Sequence, residues 1–436
     1  MNRNVSQWFM LLGLAALLAG MLFGLLAGFQ YILPDFLKES MPFSNIRPFH
    51  VTSVISWIVL AATGGVYEYI TKEFGLRSKR LAALHLVVFL VTGVVIYISY
   101  LSKTYGGKEY LEFPPVLILP VIAGWLLFAV NYFSSVRNIK EWPVYYWMWG
   151  TGILMMAYHL GEAYLWLHPE IGADFIKSLT IQWKAGGSFV GSWNMLVYGT
   201  AIYLMARIKG DDSIGRNPLA FFFYFLGLAN LMFGWAHHIY IVPTATWLRY
   251  SAYAISMTEW IILGHMIYAW RKSVPVEAKM ANLPAYRFLS ASNGWIFLNL
   301  VLALLFSIPA INFFTHGTHT TVAHSMGTTI GINTTILMAS LLYVAGQSKP
   351  ATKRVINGYW IFNISLLVFW ASLLIAGVKK SLWQYFTQRP FGDLHEELYG
   401  VFVVFLLSGV GILLGLSMIA SYLIPALAKK NRQKPA

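Results

Sequence analysis

The sequence predicts an all-α integral membrane protein of about twelve transmembrane helices. Of its 436 residues, 58% are hydrophobic and 11% charged, with a mean hydropathy of +0.60. That composition lies far from a soluble domain and close to a chain that uses lipid as its solvent. Apolar stretches of spanning length recur along the whole chain. Basic residues gather in one alternate set of the loops between them.

The first span, about 8–31, is too long for a signal-peptide core and lacks a small-residue cleavage site, so it reads as a helix. The second, third and fourth cover 46–70, 81–101 and 114–134, parted by KEFGLRSKR (72–80) and by GGKEYLEFPP (106–115). The fifth and sixth, 142–166 and 181–206, flank LHPEIGAD (167–174). RIKG (207–210) precedes the seventh, 217–241, and RKSVPVEAK (271–279) follows the eighth, 248–270. The ninth and tenth, 290–313 and 322–345, meet at THGTHTTVAHSMG (315–327). KPATKR (349–354) introduces the eleventh, 355–377. The twelfth, 396–425, lies between QRPFGDLHEE (388–397) and the tail KKNRQK (429–434).

With both termini inside, the inner loops hold 21 of the 31 Lys and Arg residues, which predicts an N-in, C-in topology. The same bias accounts for the net charge of +14, so nucleic acid is not implied and the expected surroundings are membrane lipid. No internal repeat or hydrophilic domain interrupts the pattern, and residues 1–436 read as one membrane domain. The chain has no cysteine, which excludes disulfides, thiolate haem ligation and iron–sulfur clusters.

Ionisable groups inside a membrane are costly and usually face the bundle interior, so histidines within spans are candidate functional residues. His50 lies near the outer end of the second span, His237 and His238 near that of the seventh, and His324 opens the tenth. At one depth, imidazoles from three helices can converge on iron or copper. His85 and His265 read instead as hydrogen-bonded packing residues, and His316 and His319 as interfacial. Neighbours on an ideal helix diverge by about 100°, so His237 and His238 reach one metal only if their helix is locally distorted. Pro243 shows that regular helix does not persist there.

LFGLLAGFQYILPDFL, PFSNIRPFH, GGKEYLEFP, AHHIYIVPTATW, SMTEW and FFTHGTHTTVAH, in this order and spacing, resemble the large catalytic subunit of respiratory nitric oxide reductases, within the haem–copper oxidase superfamily. The resemblance covers nearly the whole chain and implies a haem–copper oxidase subunit I-like bundle in a bacterial or archaeal cytoplasmic (inner) membrane. It implies that His50 is an axial ligand of a low-spin haem b and His324 the proximal ligand of a high-spin, b3-like haem. His237, His238 and Glu259 match ligands or neighbours of a non-haem iron facing that haem, Glu259 with a catalytic role. Arg47 and His316 match positions near haem propionates, and Glu109 a calcium ligand.

The sequence departs from the family pattern in two ways. The sixth span, IQWKAGGSFVGSWNML, carries glycine at Gly187 and Gly191, where the family places a histidine and a glutamate ligand one turn apart. The glycines predict an open volume beside the high-spin haem, with Glu162 or Asn194 as compensating ligands. Lys184, one turn earlier, either brings positive charge to the depleted site or snorkels to the interface. Second, Met326 stands where the family has the other axial histidine of the low-spin haem. Methionine is itself a haem ligand that raises the potential; the alternative is a packing residue.

The implied reaction joins two molecules of nitric oxide with two electrons and two protons, giving nitrous oxide and water. Electrons would come from a cytochrome c-type partner at the outer face. Other gas chemistry on the same scaffold, nitric oxide dismutation or oxygen reduction, stays open. So does a haem protein without the second metal that only transfers electrons or binds gas.

Overall fold

The computed structural model describes residues 4–255, 258–346 and 352–428. Ser256 and Met257 of SMTEW, the start of KPATKR and the KKNRQK tail lie outside the described residues. The chain is 84% helix, and among the described residues no strand occurs. Such a fold is what lipid demands, because a helix satisfies its backbone groups internally.

Helices α1 (Val5–Phe29) and α2 (Phe43–Phe74) run antiparallel at close range. A Cβ on Gly13 would lie 3.1 Å from the Ala61 nitrogen, one on Gly20 3.1 Å from Val54, and one on Gly64 2.9 Å from the Ser6 carbonyl. Small residues permit this approach, and in a bilayer close packing is what holds helices together. Helices α3 (Lys79–Leu101), α4 (Ile118–Ser135) and α5 (Val144–Glu162) follow. Next comes α6 (Phe175–Lys209), whose residues 192–206 are buried without interruption. Helix α7 (Pro218–Phe233) runs into a 3-10 turn, Gly234–Ile239. Beyond it are α8 (Thr246–Ile255), α9 (Glu259–Ser273), α10 (Leu283–Ser307) and α11 (Pro309–Thr315). Helix α12 (His319–Met326) passes through a π-helical stretch, Gly327–Thr334, into α13 (Thr335–Gly346). Helices α14 (Lys353–Phe386) and α15 (Phe391–Ala428) close the bundle.

Among the described residues nine helices are long and apolar enough to cross a membrane. The predicted fifth, sixth and eighth spans fall outside that set. Helices α5 and α6 carry aromatic and polar groups into the interior, and the eighth span is divided between the short helices α8 and α9. The centre is α6 against the α12–π–α13 column, which is 83% buried over its apolar window. Asn333 Nδ2 donates to Asn194 Oδ1 at 3.1 Å between these two elements.

Both ends of the bundle are tied by polar groups. At one, Asn4 and Ser6 donate to the buried Glu68 carboxylate at 3.1 and 2.6 Å, with Lys72 at 3.3 Å. At the other, Arg47 at the start of α2 pairs with Glu109 and Glu112 of the 102–114 loop, and Lys108 reaches Ser178 on α6 at 3.2 Å.

One close approach generates a test. A Cβ at Gly377 of α14 would fall on the backbone nitrogen of Thr320 in α12. Gly377→Ala is therefore expected to destabilise the protein by about 1–3 kcal/mol and to lower its melting temperature in detergent. An unchanged melting temperature would show that these two helices are not in contact.

Candidate functional site

His50 is seated by α1. Its Nδ1 lies 2.7 Å from the Gly20 carbonyl, which can only accept, so Nδ1 carries the proton and Nε2 keeps its lone pair. One turn on, Gly24 leaves room for the ring, because a Cβ there would stand 2.8 Å from Nδ1 and Cε1. This is the tautomer and restraint that an imidazole metal ligand requires.

His324 and Met326 lie two residues apart on α12, about 200° around the helix, so they face different ways. Thr318 caps the helix by accepting from the Thr320 amide at 3.3 Å, and Asn299 donates to the His324 carbonyl at 3.0 Å. The His324 ring is buried against Trp260, Phe306 and His237, with its Nδ1 unpartnered. Past Met326 the helix widens into its π segment, a form that concentrates at functional sites.

Two cavities meet at these residues. The larger, of ≈ 260 Å³, is lined by His324, His237, His238 and Glu259 among others. The smaller, of ≈ 90 Å³, lies between α1, α14 and α15, where Gly24, Gly28 and Gly409 clear its wall. His50 and Met326 line both. A half-buried imidazole with a fixed free nitrogen, a thioether sharing its cavity and a buried imidazole in the larger chamber fit two haems.

His237 and His238 sit in the 3-10 turn, the local distortion expected for adjacent histidines to share a target. Their ring centroids are 4.1 Å apart, and His238 stacks on Trp183 at 5.2 Å. Asn312 Nδ2 donates to the His237 carbonyl at 3.0 Å. Glu259 accepts at Oε1 from Asn230, and its Oε2 is buried without a partner among the described residues. Among the described residues, however, no three His, Asp or Glu side chains form a group able to hold a metal ion. His237, His238 and Glu259 share a chamber but not a coordination sphere, so they do not fit the expected non-haem iron.

Nor does α6 supply what is missing. Gly187 and Gly191 line the larger cavity, the open volume expected beside His324, but the direction a side chain would take from each is occupied. A Cβ on Gly187 would stand 2.5 Å from the Trp235 Cβ, and one on Gly191 3.1 Å from Leu231. The segment carrying the histidine pair has moved into the space that ligand side chains would need. The two compensating residues are also engaged, Asn194 with Asn333 and Glu162 with Lys184. Lys184 is paired, near the end of the bundle that carries the 163–174 loop. Its Nζ meets both Glu162 oxygens, at 2.7 and 2.6 Å. The sequence pattern did not single out His159, which bonds the same carboxylate at 2.8 Å. Its only signal was the three-residue spacing to Glu162, which puts both on one helix face.

Arg47 and His316 line neither cavity among the described residues. Arg47 is held by Glu109 and Glu112 instead, and His316 is half-buried at the end of α11. Burial pushes the Glu112 carboxyl in this loop above its ordinary range. Glu109 spends an oxygen on Arg47 and lines the larger cavity, with no second carboxylate joining it in a metal-binding group among the described residues.

The sequence and fold have relatives. The pattern of the cytochrome c and quinol oxidase polypeptide I family matches residues 4–411. A nitric oxide reductase subunit from Stutzerimonas stutzeri is 22% identical over 95% of this chain and 93% of its own length. Cytochrome c oxidase subunit 1 of Rhodobacter capsulatus is 21% identical over 95% and 84%. The cbb3-type oxidase subunit CcoN1 of Stutzerimonas stutzeri is 23% identical over 84% and 81%. A solved haem–copper terminal oxidase dimer superposes with a TM-score of 0.73 at 14% identity, over all of this chain and 86% of that one. With the family pattern running through almost all of α1–α15, and with the fold and the buried histidines in place, this chain belongs to the cytochrome c and quinol oxidase polypeptide I family of membrane respiratory oxidoreductases.

Proposed function

We propose that the chain is the haem-bearing subunit of a nitric oxide reductase in a bacterial inner membrane, with both termini cytoplasmic. Electrons reach it from a cytochrome c-type partner at the outer face. Two nitric oxide molecules, two electrons and two protons yield nitrous oxide and water in the larger cavity. The observation that carries the reading is the shared wall: His50 and Met326 line both cavities, while His324 opens the larger one two residues away. An electron carrier held by the first pair would adjoin a gas-binding centre held by His324. Nitric oxide is favoured because the nitric oxide reductase relative matches nearly the full length of both chains.

When bound, a haem held by His324 would supply gas binding and one-electron reduction, and one held by His50 and Met326 would supply electron entry. The chain's own residues do the rest. Gly20 fixes the His50 tautomer, and Asn299 holds the His324 backbone. Glu259, with Oε1 held by Asn230, can carry a proton on Oε2 at the chamber wall. Trp183, Phe189 and Trp235 line that wall with apolar surface and exclude bulk water. No step is assigned to a second metal or to calcium, since among the described residues the side chains do not assemble a site for either. The same observation favours a second reading, a haem protein that transfers electrons or binds gas without turnover.

Haem and metal analysis of the purified protein, with consumption of nitric oxide and oxygen and the gaseous product measured together, tests both. The reductase reading requires two haems and nitrous oxide in a 1:2 ratio to nitric oxide; haems without turnover select the second reading. His324→Ala should abolish the CO-reactive haem and leave the low-spin spectrum, and His50→Ala should do the reverse.

If the Met326 thioether ligates the low-spin haem, ferric protein should show a near-infrared sulfur-to-iron band. Met326→His should remove it and lower the potential by about 60 mV or more, where ~60 mV is ~1.4 kcal/mol for one electron. Met326→Leu keeps the volume without the ligand; a wild-type spectrum in that variant makes Met326 a packing residue.

Restoring the family's ligands should fail. Gly187→His with Gly191→Glu is expected to destabilise the α6–α7 contact by about 1–3 kcal/mol and to bind no extra metal. An additional equivalent of iron in the double variant would show that the contact opens.

A further inference from the structure

The larger cavity has a polar wall that the reaction above does not use. His159 on α5 is fully buried, lines the cavity and shares its Nδ1 with Glu162 Oε2 at 2.8 Å. Among the described residues its Nε2 is buried with no partner, a costly arrangement for a group that merely packs. Both oxygens of Glu162 meet Lys184 of α6. Exposure is graded along the three side chains, 19% at Lys184, 15% at Glu162 and zero at His159. The set therefore reaches from the end of the bundle that carries the 102–114 and 163–174 loops to the interior.

We propose that Lys184, Glu162 and His159 form a proton relay into the larger cavity, with His159 as the carrier that faces it. A proton arriving on the Glu162 carboxyl passes to Nδ1, Nε2 releases its own proton into the cavity, and the neutral ring returns by exchanging its tautomer. Only O–H and N–H bonds form and break, and no electron moves. Lys184 offsets the carboxylate charge while the imidazole is neutral, and Glu162 stabilises the imidazolium in passage. The other titratable groups facing this corridor are Tyr158 on the same helix, 5.6 Å from Lys184, and Lys108 and Glu109 of the neighbouring loop. His237, His238 and Glu259 share the chamber. Of these, Glu259 is the group placed to receive the proton on a free oxygen.

The proposal rests on the larger cavity being the reduction chamber, and its test separates the two. Purified holoprotein in proteoliposomes is reduced without any gas, and proton uptake from the medium is followed with a pH dye beside haem content and haem potential. Wild-type protein should take up protons as the haems are reduced. His159→Phe, His159→Gln and Glu162→Gln should each slow uptake by roughly 10²-fold at unchanged haem content. His159→Gln retains a donor to Glu162, so a purely structural role would survive it. Wild-type uptake in that variant overturns the relay, as does absence of uptake in the wild type. A shifted haem potential at an unchanged uptake rate also overturns it, because His159 would then be a hydrogen-bond partner of the cofactor. Uptake that depends on His159 in a protein that turns over no nitric oxide leaves the relay standing and removes only the gas assignment.

Discussion

Close helix approach at glycine is the constraint on which the rest of this molecule depends. Hydrophobicity gives little drive for one apolar helix to prefer another over lipid, so backbone proximity must hold the bundle. Where α1 meets α2, that proximity also does chemistry. The backbone approach at Gly20 and Gly24 brings a carbonyl to the His50 ring and leaves space for the imidazole, so packing and ligand orientation are one arrangement. The contact between Gly377 and Thr320 does the same for α12, which carries His324 and Met326.

The same device works in the opposite sense at α6. Gly187 and Gly191 could have been vacancies left by lost ligands, but they are contact points for Trp235 and Leu231. With no side chain in the way, the 3-10 turn bearing His237 and His238 settles directly on α6. The histidine pair thus keeps its chamber, while the geometry that would have completed a metal site is filled with protein. The bundle has closed over the gap, as close-packed interiors do when volume is removed and the backbone can follow.

Polar groups inside the bundle fall into two kinds. Some are paired with one another: Asn194 with Asn333, Glu68 with Asn4, Ser6 and Lys72, Arg47 with its two glutamates. A few keep one atom free at a cavity wall, notably His324 Nδ1, Glu259 Oε2 and His159 Nε2. An unpartnered polar atom in low dielectric is expensive, and these three residues of the larger chamber each bear that cost.

Much was legible from residue order alone. Apolar runs of spanning length marked the helical membrane fold, because lipid leaves the backbone no other open form. The register of His50, His237, His238 and His324 pointed to one buried site, because ionisable groups are rarely tolerated in lipid without purpose. The need for a distorted helix at His237–His238 followed from the helical repeat itself. Interhelical distance was beyond the sequence. A glycine reads the same whether it opens a pocket or admits a neighbour, and only the packing of α7 and its 3-10 turn onto α6 showed that Gly187 and Gly191 do both. Only packing, too, joined Lys184 to Glu162 across 22 residues and turned His159 toward the cavity. Sequence sets each helix's faces; which faces meet is settled by the whole bundle at once.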